Sequence, residues 1–239
     1  MSVLQGLQDT TQFPFGAVVA RGNPYNGMRG IHKYGYNASS NDGSYEIVWE
    51  QGGSITYPTT AAVASINSAS SNSGVIITVE GLDANYALAT DTITLDGSGD
   101  GSTTTTFTRI NRAFVSGSTA LSADADITIG GNVQAHVDSD HNQTLQCLYT
   151  VPAGHNAYLI DLGGGVEEKD KEATIRIYAR EDGGVFRTRD LVSFQTNHFD
   201  KEYKIPLHFG PKTDIQIQAK VNGATTGVSA SFDILLEAI

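Results

Sequence analysis

The chain has a single cysteine, Cys147, among 239 residues. An intrachain disulfide is thereby excluded, and so are cysteine-rich zinc sites. Charge is scarce as well: Asp, Glu, Lys and Arg make up 17% of the chain, against roughly 25% in an average soluble domain. What charge exists is acidic, 26 carboxylates against 15 Lys and Arg, for a formal net charge of −11. Nucleic-acid binding needs basic side chains to neutralise phosphates, and no basic cluster is present, so no nucleic-acid partner is expected. An anionic membrane surface is disfavoured for the same reason. No run approaches the ~20 apolar residues that span a bilayer. The opening MSVLQGLQDTTQF lacks a basic stretch followed by an apolar one, so no export signal is read there and a soluble chain is expected.

Also missing is the bulk of Ala, Glu, Lys, Leu and Arg that a helical bundle requires. In its place stand 26 glycines with abundant Ser, Thr and Asn, residues of strands and turns. From residue 45 onward the pattern is β: Tyr45–Trp49, Val75–Glu80, Leu88–Leu95, Thr103–Val115 and Asp126–Ile129 read as strands. A second block follows in Leu145–Val151, Ala157–Leu162, Ala173–Arg180, Val185–Thr188, Tyr203–Phe209, Ile215–Val221 and Val228–Leu236. Turn clusters fall about every ten residues, the spacing of a sandwich or barrel. In Ile215-Gln216-Ile217-Gln218 the alternation predicts a strand with one wet face. Thr59–Ser68, the best helix candidate, is too small and β-branched for more than a turn or two. The expectation is an all-β chain of two β-sandwich or jelly-roll-like domains, 45–135 and 142–239, with the boundary near 130–142.

Residues 1–44 differ, being rich in Gly, Asn and Tyr without period. Either a disordered tail or an extended arm over its own or a neighbouring subunit fits. Phe13, Phe15, Tyr25, Tyr34 and Tyr36 favour the arm, because disordered tails are poor in aromatics. With His32 and Lys33 they are the candidate assembly contacts.

No enzyme signature is present: no GxSxG, HExxH, P-loop or strand-linked GxGxxG. Paired carboxylates of the glycosidase kind leave no local motif. Asp96–Gly101 matches the first half of a calcium loop, but its twelfth position is Phe107 where a bidentate Glu belongs, and a hairpin turn accounts for the same residues. His136, Asp138, Asp140 and His141 form a metal site only if three ligands converge; in a polar linker they are expected to be solvated. His155, His198 and His208 share no spacing, and Cys147 lies on an apolar strand face, reading as a buried small hydrophobe. Neither metal nor cofactor is expected.

Several segments, in order, resemble virion structural proteins of tailed bacteriophages, often from marine and cyanobacterial hosts. They are Gly30–Asn37, Tyr45–Trp49 before Tyr57-Pro58, Val79–Tyr86, Thr108–Val115, Gln143–Leu145, Tyr149–Gly154, Pro211–Ile215 and Val228–Leu236. The resemblance covers about residues 30–239 and implies a non-enzymatic particle component, with no catalytic residues to carry over. The expected role is a capsid decoration or cement protein in the virion. It would form a trimer by analogy and bind the major capsid protein or other virion proteins through its arm. A tail fibre, adaptor or baseplate piece and a carbohydrate-binding adhesion module remain alternatives. For the module, Trp49, Tyr158, Tyr178 and Phe186 are the aromatics to watch, although each also suits a core or interface.

Overall fold

A computed structural model describes residues 28–168, 170–195, 198–223 and 225–239. They contain no α-helix, and the all-β sandwich architecture expected from the pattern is the one adopted.

Strand β16 (Thr226–Ala238) shows how the larger sandwich arises. Val228, Ala230, Phe232, Ile234 and Leu236 alternate with Ser229, Ser231, Asp233, Leu235 and Glu237. A period of two sends the first set to one face, where all five are buried. β16 pairs antiparallel with β1 (Met28–Ser40) and with β11 (His155–Val166). β14 (His198–Phe209) completes a sheet of order β1-β16-β11-β14. The facing sheet has the order β10 (Leu148–Thr150), β15 (Asp214–Asn222), β12 (Glu172–Arg180), β13 (Arg187–Phe194), with β2 (Glu46–Ile47) also on β15. Leu159, Phe232 and Ile234 of one sheet pack in one core with Ile175, Ile177 and Ile217 of the other.

Between β2 and β10 the chain builds a second sandwich. One sheet orders β6 (Gly101–Phe107), β3 (Ala62–Asn67), β8 (Ala125–Ile129) and β9 (Asn132–Val137); the other orders β5 (Leu88–Thr94), β4 (Ile76–Leu82) and β7 (Arg109–Val115). Its separate core joins Ile66, Phe107 and Ile127 to Ile77, Val79 and Ile110. Ile47, Trp49 and Leu148, with Ile55 and Val133, form a small third cluster of residues from both sandwiches.

Several expectations change. Residues 28–40, read as the end of an arm over 1–44, are β1, in register with β16 from Met28↔Glu237 to Asn37↔Val228. Its inward positions are Ile31, Lys33, Gly35 and Asn37; a cation, a glycine and an amide erase the apolar alternation that marks a strand. Thr103–Val115 is two strands in opposite sheets, divided at Thr108, whose amide donates to Leu82 O at 2.7 Å. Thr59–Ser68 contains β3. The amide face of β15 is not wet: Gln216 and Gln218 are buried. Gln216 Nε2 donates to Tyr57 Oη, and Arg176 donates to Gln218 Oε1. Residues 130–142, expected as a linker, contain β9 and the turn after it.

Candidate functional site

The outward faces of β1, β16, β11 and β14 form rows in register. One row runs Tyr36, Ser229, Gly165, His198; the next Tyr34, Ser231, Gly163, Asp200; the third His32, Asp233, Asp161, Glu202. Four strands spaced about 4.8 Å give a surface roughly 14 Å across. Its middle strands offer only hydroxyls and hydrogens in the first two rows, leaving a shallow trough of about 470 Å³ between Tyr34 on one side and His198, Phe199 and Asp200 on the other. The floor is tight: a Cβ on Gly163 would meet Ser231 Oγ at 2.9 Å.

Neighbours orient the tyrosines. Tyr36 Oη donates to Glu167 Oε1 at 2.5 Å, which pushes the phenol up to about 12. Tyr34 Oη accepts from Gln143 Nε2 at 2.5 Å, and its ring stacks on His32 with centroids 5.9 Å apart. The third row is acidic. His32 Nδ1 lies 2.5 Å from Asp233 Oδ1, and Asp161 is pushed up to about 6 by burial and then by Asp200, Asp233 and Glu202. A carboxyl with that shift takes up its proton in weak acid, at about pH 6, well above an ordinary aspartate. The face can thus offer aromatic edges, a flat floor and negative charge to a partner.

Of the candidate contacts, His32, Tyr34 and Tyr36 share this face. Lys33 points the opposite way: it is buried, with Nζ donating to Asn111 O at 2.5 Å, and burial lowers it to about 8. Phe13, Phe15 and Tyr25 lie outside the described residues.

Lys33 ends in the seam between the sandwiches. There Arg109 of β7 makes a two-point pair with Asp214 of β15, at 2.7 and 3.1 Å. Arg180 reaches Asp214 Oδ2 at 2.6 Å, and Thr150 Oγ1 donates to Oδ1 at 2.7 Å. Burial opposes the Arg109 charge, but the bonded Asp214 overcomes it and raises the guanidinium's pKa. A cavity of about 330 Å³ beside them, walled by Tyr57, Tyr86 and Lys212, is lined by charges already paired within the chain, Lys212 with Asp182 at 3.5 Å.

The other sequence candidates separate clearly. Asp96 Oδ1 accepts from the amides of Ser98 and Asp100, closing the turn between β5 and β6. Trp49 is buried, its indole donating to Gly52 O. Tyr178 stacks on Phe186 with centroids 5.0 Å apart, and Arg176 and Arg180 lie over the pair. Tyr158 packs against His208 and donates to Glu237. Cys147 is fully buried, and burial pushes its thiol up. His136 is not solvated as expected: its Nδ1 sits 2.7 Å from Asp126 Oδ1 and its Nε2 3.7 Å from Asp124 Oδ2. Asp138 and His141 converge with Glu50, and Asp138 also with Asp124 and His136. Asp140 stands apart, exposed. Glu50, Asp124 and Asp161 of the acidic row were not singled out by sequence reasoning, since their partners come from other strands and turns.

No family model and no curated protein matches the chain. Among solved structures, the infectious bursal disease virus Gt strain is 13% identical over 88% of this chain and 72% of the other, with a TM-score of 0.24. The T13 particle of the same virus is 10% identical over 98% and 77%, with a TM-score of 0.26. The PBSX exported protein XepA is 10% identical over 85% and 86%, with a TM-score of 0.20. These neighbours are a virus particle's proteins and an exported protein; at such TM-scores the likeness carries no argument for this chain.

Proposed function

We propose that this chain is a non-enzymatic structural protein of a phage virion, of the capsid decoration or cement kind. It docks on the shell through the outer face of the β1 sheet and the residues that precede it. The observation that carries this reading is the set of three in-register rows: tyrosines at one edge, a Ser/Gly floor and a row of carboxylates, on strands held rigid by the core beneath. Rigid strands lose little entropy on docking, and aromatic anchors supply much of an interface's energy. The acidic row favours a basic patch on the partner, giving register and speed to the encounter. Three copies around a three-fold axis and a major capsid protein as partner follow from the resemblance to phage virion proteins.

The test is occupancy on purified particles. A chain lacking residues 1–27, and separately the Tyr34→Ala/Tyr36→Ala chain, are expected to lose decoration while the body stays folded. Full occupancy by both variants overturns the reading. Copy number distinguishes shell from tail: hundreds per particle for decoration, roughly six to eighteen for a tail piece.

A second reading has its own observation. Tyr34 is 39% exposed beside a flat polar trough and the shifted Asp161, an arrangement that also suits a sugar ring. Binding of the purified chain to a glycan array, lost on Tyr34→Ala, would favour a carbohydrate-binding module.

A further inference from the structure

The chain crosses between the sandwiches twice, after β2 and after β9, and the crossings meet at three ligand-bearing side chains. Glu50 follows β2. Asp138 and His141 lie in the turn between β9 and β10. His141 Nδ1 is 3.2 Å from Asp138 Oδ1 and 3.7 Å from Glu50 Oε1, and one ligand atom from each residue falls within 4.8 Å of the others. A tetrahedral Zn²⁺ with bonds near 2.0–2.1 Å sets its ligands about 3.3 Å apart, so the three atoms already stand close to the required spacing.

Glu50 is the independent sign that something belongs there. Its side chain is 9% exposed. Oε2 accepts from the Leu145 amide at 3.3 Å, whereas Oε1 is buried without a hydrogen-bond partner and faces His141. Burying a carboxylate oxygen unpaired is costly, and a cation at this point would meet that cost. The neighbouring set of Asp124, His136 and Asp138 has no such vacancy. Asp124 is half exposed to solvent and needs no cation to offset burial, and His136 is held by Asp126 and Gln51.

We propose that Glu50, Asp138 and His141 hold one divalent transition-metal ion of the Zn²⁺ class, which clips the two crossings together. One imidazole with two carboxylates favours such an ion over Ca²⁺ or Mg²⁺, which take oxygen ligands. The site leaves a fourth position for water. Binding the folded chain alone, the ion stabilises it by mass action.

The experiment uses the full chain, stripped with chelator and titrated with Zn²⁺ by calorimetry and thermal unfolding. One ion per chain and a raised unfolding midpoint are expected. Glu50→Gln and His141→Gln should each weaken Zn²⁺ more than about tenfold, a loss that even outer-shell partners can cause. His136→Gln should stay within about threefold. Absence of Zn²⁺ binding, unchanged binding by Glu50→Gln, or loss on His136→Gln alone overturns the proposal. A readout on the unaltered chain stands beside the variants: Zn²⁺ should shield His141 from diethylpyrocarbonate, and shielding confined to His136, or none, also overturns it.

Discussion

The seam between the sandwiches and the outer face of the β1 sheet are both polar, yet they do opposite things. In the seam, Asp214 takes bonds from Arg109, Arg180 and Thr150, and Asn111 exchanges bonds with Thr150 at 2.9 and 3.3 Å. Each of these groups has its partner within the chain. On the outer face Asp200, Asp233 and Glu202 crowd around Asp161, and aromatic edges stand over serine and glycine. The lesson is that polarity alone marks neither stability nor binding; what matters is whether the groups are satisfied at home. β1 separates the two regimes along a single strand, with Lys33 turned to the seam and His32, Tyr34 and Tyr36 turned outward.

The largest break in this contrast should come from Asp214→Ala. It strands two guanidinium groups, Arg109 in a buried setting, and a broken buried pair costs roughly 3–5 kcal/mol. Denaturant unfolding of the purified chain measures it; a loss under about 1 kcal/mol would mean that the seam does not hold the sandwiches together.

Lys33 supplies a pH signature for the same region. Its native pKa of about 8 lies below the ordinary 10.5, so between them the unfolded chain binds the proton that the native chain has released. Stability should therefore rise with pH from about 8 to about 10, the charge-burial cost being complete below that window. Lys33→Met should flatten the rise in unfolding measured across that range.

The outer face should show the opposite slope at lower pH. Asp161 titrates near 6 in the native chain against 3.8 ordinarily, so the native state holds more protons than the unfolded one in that interval. Asp161 thus lowers stability as pH rises from about 4 to 6, and Asp161→Asn should lessen the fall and leave the chain at least as stable at pH 7. The smallest stability effect belongs to Tyr34→Ala, within about 0.5 kcal/mol as for exposed positions generally. Its weight should appear in docking, as at least about a tenfold loss of particle affinity in a sedimentation assay. A large loss of stability with unchanged docking would reverse the contrast.

Much of the body was legible because alternation there is undisturbed: β12 and β16 carry Ile, Val, Leu, Phe or Ala at every second position, and their burial follows. β1 was not legible as a strand, since its inward face includes a lysine that is accommodated only because Asn111 O, 78 residues away, receives its ammonium. The two strands within Thr103–Val115 looked like one because nothing local at Thr108 breaks the β pattern. For the outer face, His32, Tyr34 and Tyr36 stood out by residue type, whereas the carboxylates came from strands that only pairing brings level. Glu50 carries no signal near His141, being 91 positions away.

Composition and periodicity alone determined that this chain is all β, acidic and without an intrachain disulfide, because those properties depend on residue type and on a spacing of two. Tertiary structure alone decided which polar groups would be quenched and which left open. Hydroxyls, amides and charges are free to face either way until strand register assigns each one its neighbours.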